Sequence, residues 1–131
     1  MLGLWGHAAT TYLLVMGCLT TLIFVIPIFF TPLLWGRIML WKIPEDTDLA
    51  VYFGRCLGAF ALVTEGLIFH AALTSSDLAL TFDFLTGLFV MMVVIHIHGA
   101  IKHIQPITET LEIGLWIGLT LANLAFYPVA G

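Results

Sequence analysis

Glu65 sits in the middle of a long uncharged stretch, and its type and position invite chemistry more than any other residue's. Counted at 1.5 Å per residue from the start of its apolar segment, it lies roughly 18 Å in, past the centre of a bilayer. An unpaired ionised carboxylate at that depth costs about 2.5–3.5 kcal/mol on insertion scales. The group is therefore expected to be protonated, or hydrogen-bonded to hydroxyls such as Thr10, Thr11 or Thr20. Functionally it reads as a proton-relay or ligand contact, structurally as a neutral hydrogen bond between helices, and both readings stand at this point. His70 and Asp83 fall at similar depth on either side of the short turn 74–77, so a hydrogen bond between them is expected. Glu65, His70 and Asp83 together make the candidate ligand or proton site.

The other intramembrane charges are few, and each must face a partner. Arg55 lies near the start of its segment, while Glu109 and Glu112, spaced i, i+3 on one helix face, open another at the same end. A structural ion pair between Arg55 and Glu109 or Glu112 is the simplest neutralisation. Gly54 and Gly58 form one GxxxG, Gly114 and Gly118 a second, and small residues four apart let backbones approach closely in lipid. The expectation is that these two glycine pairs pack on each other beside Arg55.

Histidines raise the question of haem or metal. His96 and His98 point about 200° apart on a helix, and His103 is two turns from His96, so these three do not converge on one metal. His7 and His70 are the one cross-helix pair at similar depth, hence the candidate axial ligands for haem b. No cofactor is the primary expectation, with haem b or a quinone as alternatives, and no metal ligand set is expected.

The elements that position these residues follow from composition. Of 131 residues, 61% are hydrophobic and only 9% charged, against about 25% charged in soluble domains. The mean hydropathy of +1.11 makes the lipid bilayer the solvent for most of the outer surface. A net charge of −4 excludes nucleic acid as a partner. Apolar segments at 9–34, 51–73, 78–101 and 108–130 predict one all-α domain, a four-transmembrane-helix bundle running up-down-up-down. Pro27 and Pro32 should bend the first helix near its exit. Met1 to Ala9 contains no Lys or Arg, so the first segment is expected to be retained rather than cleaved as a signal peptide.

Arg37, Lys42, Arg55 and Lys102 all fall on the side of the first and third loops. The positive-inside rule then places both termini on the opposite, outer face. In a bacterial inner membrane that face is periplasmic.

The layout of Gly54, Arg55, Cys56, Leu57 and Gly58 opening a second span, a short turn, a third span bearing His96, His98 and Gly99, and a fourth opening with Glu109 resembles the DoxX-like small four-helix membrane proteins. That resemblance implies a left-handed four-helix bundle, often an accessory of a membrane oxidoreductase. A fainter one, carried by His96, Gly99, Lys102 and His103, is to succinate dehydrogenase membrane anchors, from which the glycine spacing and the number of spans depart.

The chain therefore reads as a non-catalytic accessory or scaffold subunit bound to other membrane protein subunits, and not as an enzyme. The alternatives are a haem- or quinone-binding electron-transfer anchor and a small oligomeric transporter with Glu65 in its path.

Overall fold

The computed structural model describes residues 2–128, so the last positions of the expected segment 108–130, Val129 and Ala130, lie outside the described residues. All regular structure among the described residues is helical. A 3-10 turn, Gly6–Ala8, leads into α1 (Ala9–Thr20), which continues through a π-helical turn, Thr21–Val25, into α2 (Ile26–Phe30). Pro27 has no N–H to offer one turn back, and the wide turn ahead of it absorbs that mismatch. Pro32 then pushes Thr31 out of helical geometry, to φ −134° and ψ 57°, and takes the first position of α3 (Pro32–Ile38). The expected first helix, 9–34, is thus interrupted at Thr31 rather than simply bent.

After the loop 39–47 come α4 (Asp48–Thr74), α5 (Leu78–Ile101) and α6 (Ile107–Ala125). A left-handed Ser75, φ 56°, ends α4, and a left-handed Asp77, φ 55°, precedes α5, which makes the reversal tight. Three helical stretches, Gly6–Phe30, Asp48–Thr74 and Leu78–Ile101, are long and apolar enough to cross a membrane, with mean hydropathies of 2.6, 1.7 and 2.3. The 19-residue α6 is shorter and carries Glu109, Glu112 and Asn123.

The helices pair in sequence order along two seams. Along the first, α1 and α2 run antiparallel to α4, with Gly17 against Ile68 and Phe29 against Gly58. Along the second, α5 and α6 form an antiparallel hairpin in which His96 faces Glu109 and Phe82 faces Asn123. The seams share a core of Leu13, Ile68, Ala71, Phe82, Leu85 and Phe89. At this end the chain start caps α6: the Gly3 and Trp5 N–H groups donate to the carbonyls of Leu124 and Ala125, each at 2.9 Å. Carbonyls at a helix C-terminus have no partner within the helix, so an outside donor is what they require. Tyr12 stacks on Phe126 with ring centroids 4.8 Å apart.

The GxxxG expectation is corrected in its partner. A methyl group on Gly58 would sit 2.6 Å from the Phe29 Cα, and one on Gly54 would sit 2.5 Å from the Pro32 Cβ, so this glycine face receives the proline-broken end of the first helix. Gly114 and Gly118 have nothing within 4 Å of that position. Because α6 is held by its hairpin partner α5, it does not lie in the groove that the α4 glycines open.

Candidate ligand site

Two polar groupings face one cavity. The first is on α5 and α6. His96 is 4% exposed, and its Nδ1 lies 2.7 Å from the Met92 carbonyl one turn back. A carbonyl only accepts, so Nδ1 is the N–H that donates, which fixes the direction of the ring. Nε2 is then aimed at α6, 3.1 Å from Glu109 Oε2 and 3.5 Å from Glu112 Oε2. The i, i+3 spacing of the two acids delivers both to the same imidazole.

Each acid is held from behind by an indole. Trp41, from the loop after α3, donates Nε1–H to Glu109 Oε1 at 2.7 Å, and Trp116 donates to Glu112 Oε2 at 3.2 Å. The hairpin turn is pinned as well: Gln105 Nε2 donates to the His96 carbonyl at 3.0 Å and to Thr110 Oγ1 at 3.1 Å, and Thr108 Oγ1 donates to the Met39 carbonyl. Gly99 lies directly under Gln105, where any side chain would displace that anchor.

The second grouping centres on Glu65, 6% exposed on α4. Thr20 Oγ1, at the last residue of α1 before the π turn, donates to Glu65 Oε1 at 2.6 Å. The other oxygen, Oε2, is buried and has no hydrogen-bond partner. Of the hydroxyls expected as partners, Thr20 is thus the one the fold supplies.

A cavity of about 280 Å³ joins the two groupings. Glu65, His96, Glu109 and Glu112 line it, among apolar walls that include Phe24, Trp35, Phe60, Phe89 and Trp116. A mostly apolar hollow with a few convergent polar groups is the usual form of a small-molecule site.

The remaining expectations fall differently. Arg55 is exposed and makes no ion pair among the described residues; it borders a shallow surface hollow with Asp48, Tyr52 and Cys56. Its proposed partners Glu109 and Glu112 belong to His96 instead, because α6 packs on α5 while α4 packs on α1 and α2. His70 and Asp83 do not pair. Asp83 accepts from the Tyr127 hydroxyl at 3.0 Å, and His70 Nε2 lies 3.5 Å from Ser76 Oγ, because the left-handed residues at the α4–α5 reversal turn the two side chains onto separate neighbours. His7 and His70 are both exposed, and neither belongs to the one cluster of potential metal ligands among the described residues, His96, Glu109 and Glu112.

That cluster corrects the expectation that no ligand set converges. Carboxylates complete this set where a second histidine would be sought, and the sequence carries the signal: His96 and Glu109 are equally distant from the turn at Lys102 and His103, so an antiparallel hairpin sets them side by side. No family model, curated protein or solved structure matches the chain.

Proposed function

We propose that this protein crosses the membrane four times, with both termini on the outer face of a bacterial inner membrane, and binds a quinone-class molecule as a subunit of a larger redox complex. The topology is supported by the antiparallel pairing of α1 and α2 with α4, and of α5 with α6. It is also supported by the grouping of Arg37, Lys42, Arg55 and Lys102 toward one end. The resemblance to DoxX-like proteins points the same way.

One observation carries the binding role: Glu65, with one carboxylate oxygen unpartnered, and the His96 cluster line the same aromatic-walled cavity. A quinone head is flat, apolar on its faces and a hydrogen-bond acceptor at both ends. Phe24, Phe60, Phe89 and Trp116 offer surfaces for the ring, and Glu65, carrying a proton, offers a donor to one carbonyl. The hydrogen bond from Thr20 engages one Glu65 oxygen and leaves the second over, and an acid buried at this depth is a functional candidate by default.

Trp35 and Trp116 line the cavity, so binding is readable as quenching of their fluorescence by a short-chain quinone in lipid nanodiscs. Saturable quenching, weakened about tenfold or more by Glu65→Leu, which removes the donor, and abolished by filling the cavity with Ala61→Phe, is the expected result, a tenfold loss corresponding to about 1.4 kcal/mol. Quenching that only follows partition into lipid, identical in both variants, would overturn the reading.

A further inference from the structure

We infer that His96, Glu109 and Glu112 form a binding site for one divalent transition-metal ion, of the Zn²⁺, Mn²⁺ or Fe²⁺ class, with the remaining coordination position open to the cavity.

The first step is an accounting of donors. His96 Nδ1 gives its hydrogen to the Met92 carbonyl, so on a neutral ring Nε2 is a lone pair, and it faces two carboxylate oxygens. Three acceptors aimed at one point repel unless a positive centre lies among them. The second step is size. Ligand atoms 2.0–2.2 Å from a tetrahedral ion stand about 3.4 Å from one another. Nε2 is 3.1 and 3.5 Å from the two carboxylate oxygens, and the three ligand atoms lie within 4.8 Å of one another. The imidazole is already at coordination spacing from each carboxylate, and an ion would have only to draw the two carboxylates onto itself.

The support around the ligands has the form that metal sites use. A ligating histidine donates its other N–H to a carbonyl or carboxylate, and ligating carboxylates are themselves hydrogen-bonded. Met92, Trp41 and Trp116 supply those contacts here. An independent observation comes from another helix: Glu65, nine-tenths buried on α4 and with one carboxylate oxygen unpartnered, is a further polar residue lining the cavity onto which the open coordination position faces.

The donor set selects the ion. One imidazole with two carboxylates suits Zn²⁺, Mn²⁺ or Fe²⁺ better than Ca²⁺ or Mg²⁺, which prefer all-oxygen shells, or Cu⁺, which prefers sulfur. Three protein ligands with one open position is the pattern of a working site, where a structural one is closed by four. The inference does not depend on the quinone reading, since its three ligands stand on α5 and α6 whatever else occupies the cavity.

The test uses the full chain in detergent, stripped with a chelator, then titrated with Co²⁺ as a spectroscopic probe and Zn²⁺ as a competitor. One Co²⁺ per chain is expected, with visible d–d absorption that Zn²⁺ abolishes. Glu109→Gln and His96→Gln should each weaken binding at least 100-fold, and Trp116→Phe, which removes a supporting contact, about tenfold. Glu109→Gln keeps an acceptor for Trp41, so it decides the matter even if His96→Gln fails to fold. His98→Gln and His103→Gln, on exposed histidines at the same end, should change nothing. No stoichiometric binding would mean that the positive centre is only a proton, and binding that survives Glu109→Gln but is lost in His98→Gln or His103→Gln would mean adventitious surface metal. Either result overturns the inference.

Discussion

The two ends of this helical chain differ in how tightly they are packed. At the end where α4 turns into α5, the interior is closed: Leu13 and Phe82 have no exposed surface, and Asn123 is equally buried with its Nδ2 donating to the Phe82 carbonyl and Thr86 Oγ1, both at 2.8 Å, although its Oδ1 and the Tyr12 hydroxyl find no partner. The chain start is drawn in to finish the hydrogen bonds of α6. At the other end the helices part around a cavity, and among its lining are Glu65, a histidine between two carboxylates, and indoles. In a bilayer, association between helices comes from packing and hydrogen bonds rather than from exclusion of water. A region that gives up packing and gathers charge therefore needs its stability supplied elsewhere. The closed end supplies it, and so the open end is free to hold a ligand.

That division is broken most directly by exchanging the demands on the two ends. Phe82→Ala opens a void in the closed end and should cost about 3–5 kcal/mol, read from reversible unfolding in mixed micelles. Glu65→Gln, at the open end, should cost less than about 1 kcal/mol or raise stability, because it removes a buried acid with an unsatisfied oxygen while leaving an acceptor for Thr20. If the two variants were equally destabilising, the ends would not differ in kind.

A smaller effect sharpens the account of how the helices are clamped. Gly58→Val drives a side chain into the backbone of Phe29, which cannot rotate aside as a flexible side chain would, and should cost about 1–3 kcal/mol. Gly118→Val enters open space and should lie within about 0.5 kcal/mol of the parent. The same micelle unfolding measurement separates them, and equal costs would show that α6 has a packing partner on its glycine face.

Much of the helical layout was readable from hydropathy, because a bilayer imposes a length and an apolar composition that 51–73 and 78–101 display without ambiguity. The GxxxG at Gly54 and Gly58 was readable as a contact but not as to its partner, since small residues announce a close approach and say nothing of what approaches. The break at Thr31 was half readable: Pro27 and Pro32 announced a disturbance, and whether a helix bends, widens or stops depends on what it packs against. The candidate site was the least legible part. Glu65 stood out because a lone acid among apolar residues has a cost that any reader can assign. His96 did not, because histidine is cheap near a helix end and because its carboxylate partners looked already committed to Arg55, the strongest cation in reach.

The fate of Arg55 gives the last and smallest prediction. A guanidinium near two glutamates at one membrane face is an obvious pairing on charge alone, yet pairing by topology wins, since α6 is tethered to α5 by a turn of a few residues. Arg55 is left on the exposed face of α4, with Asp48 one and a half to two turns before it on the same hollow. An arginine there extends toward the membrane surface, where exposed charges contribute at most about 1 kcal/mol. Arg55→Gln should therefore change unfolding stability by less than about 0.5 kcal/mol. It should also leave the fluorescence of Trp116, which reports the packing around Glu112, where it is in the parent. A large loss of stability that Glu109→Gln reproduced, and that the double variant did not increase, would restore the Arg55 ion pair and dissolve the His96 cluster.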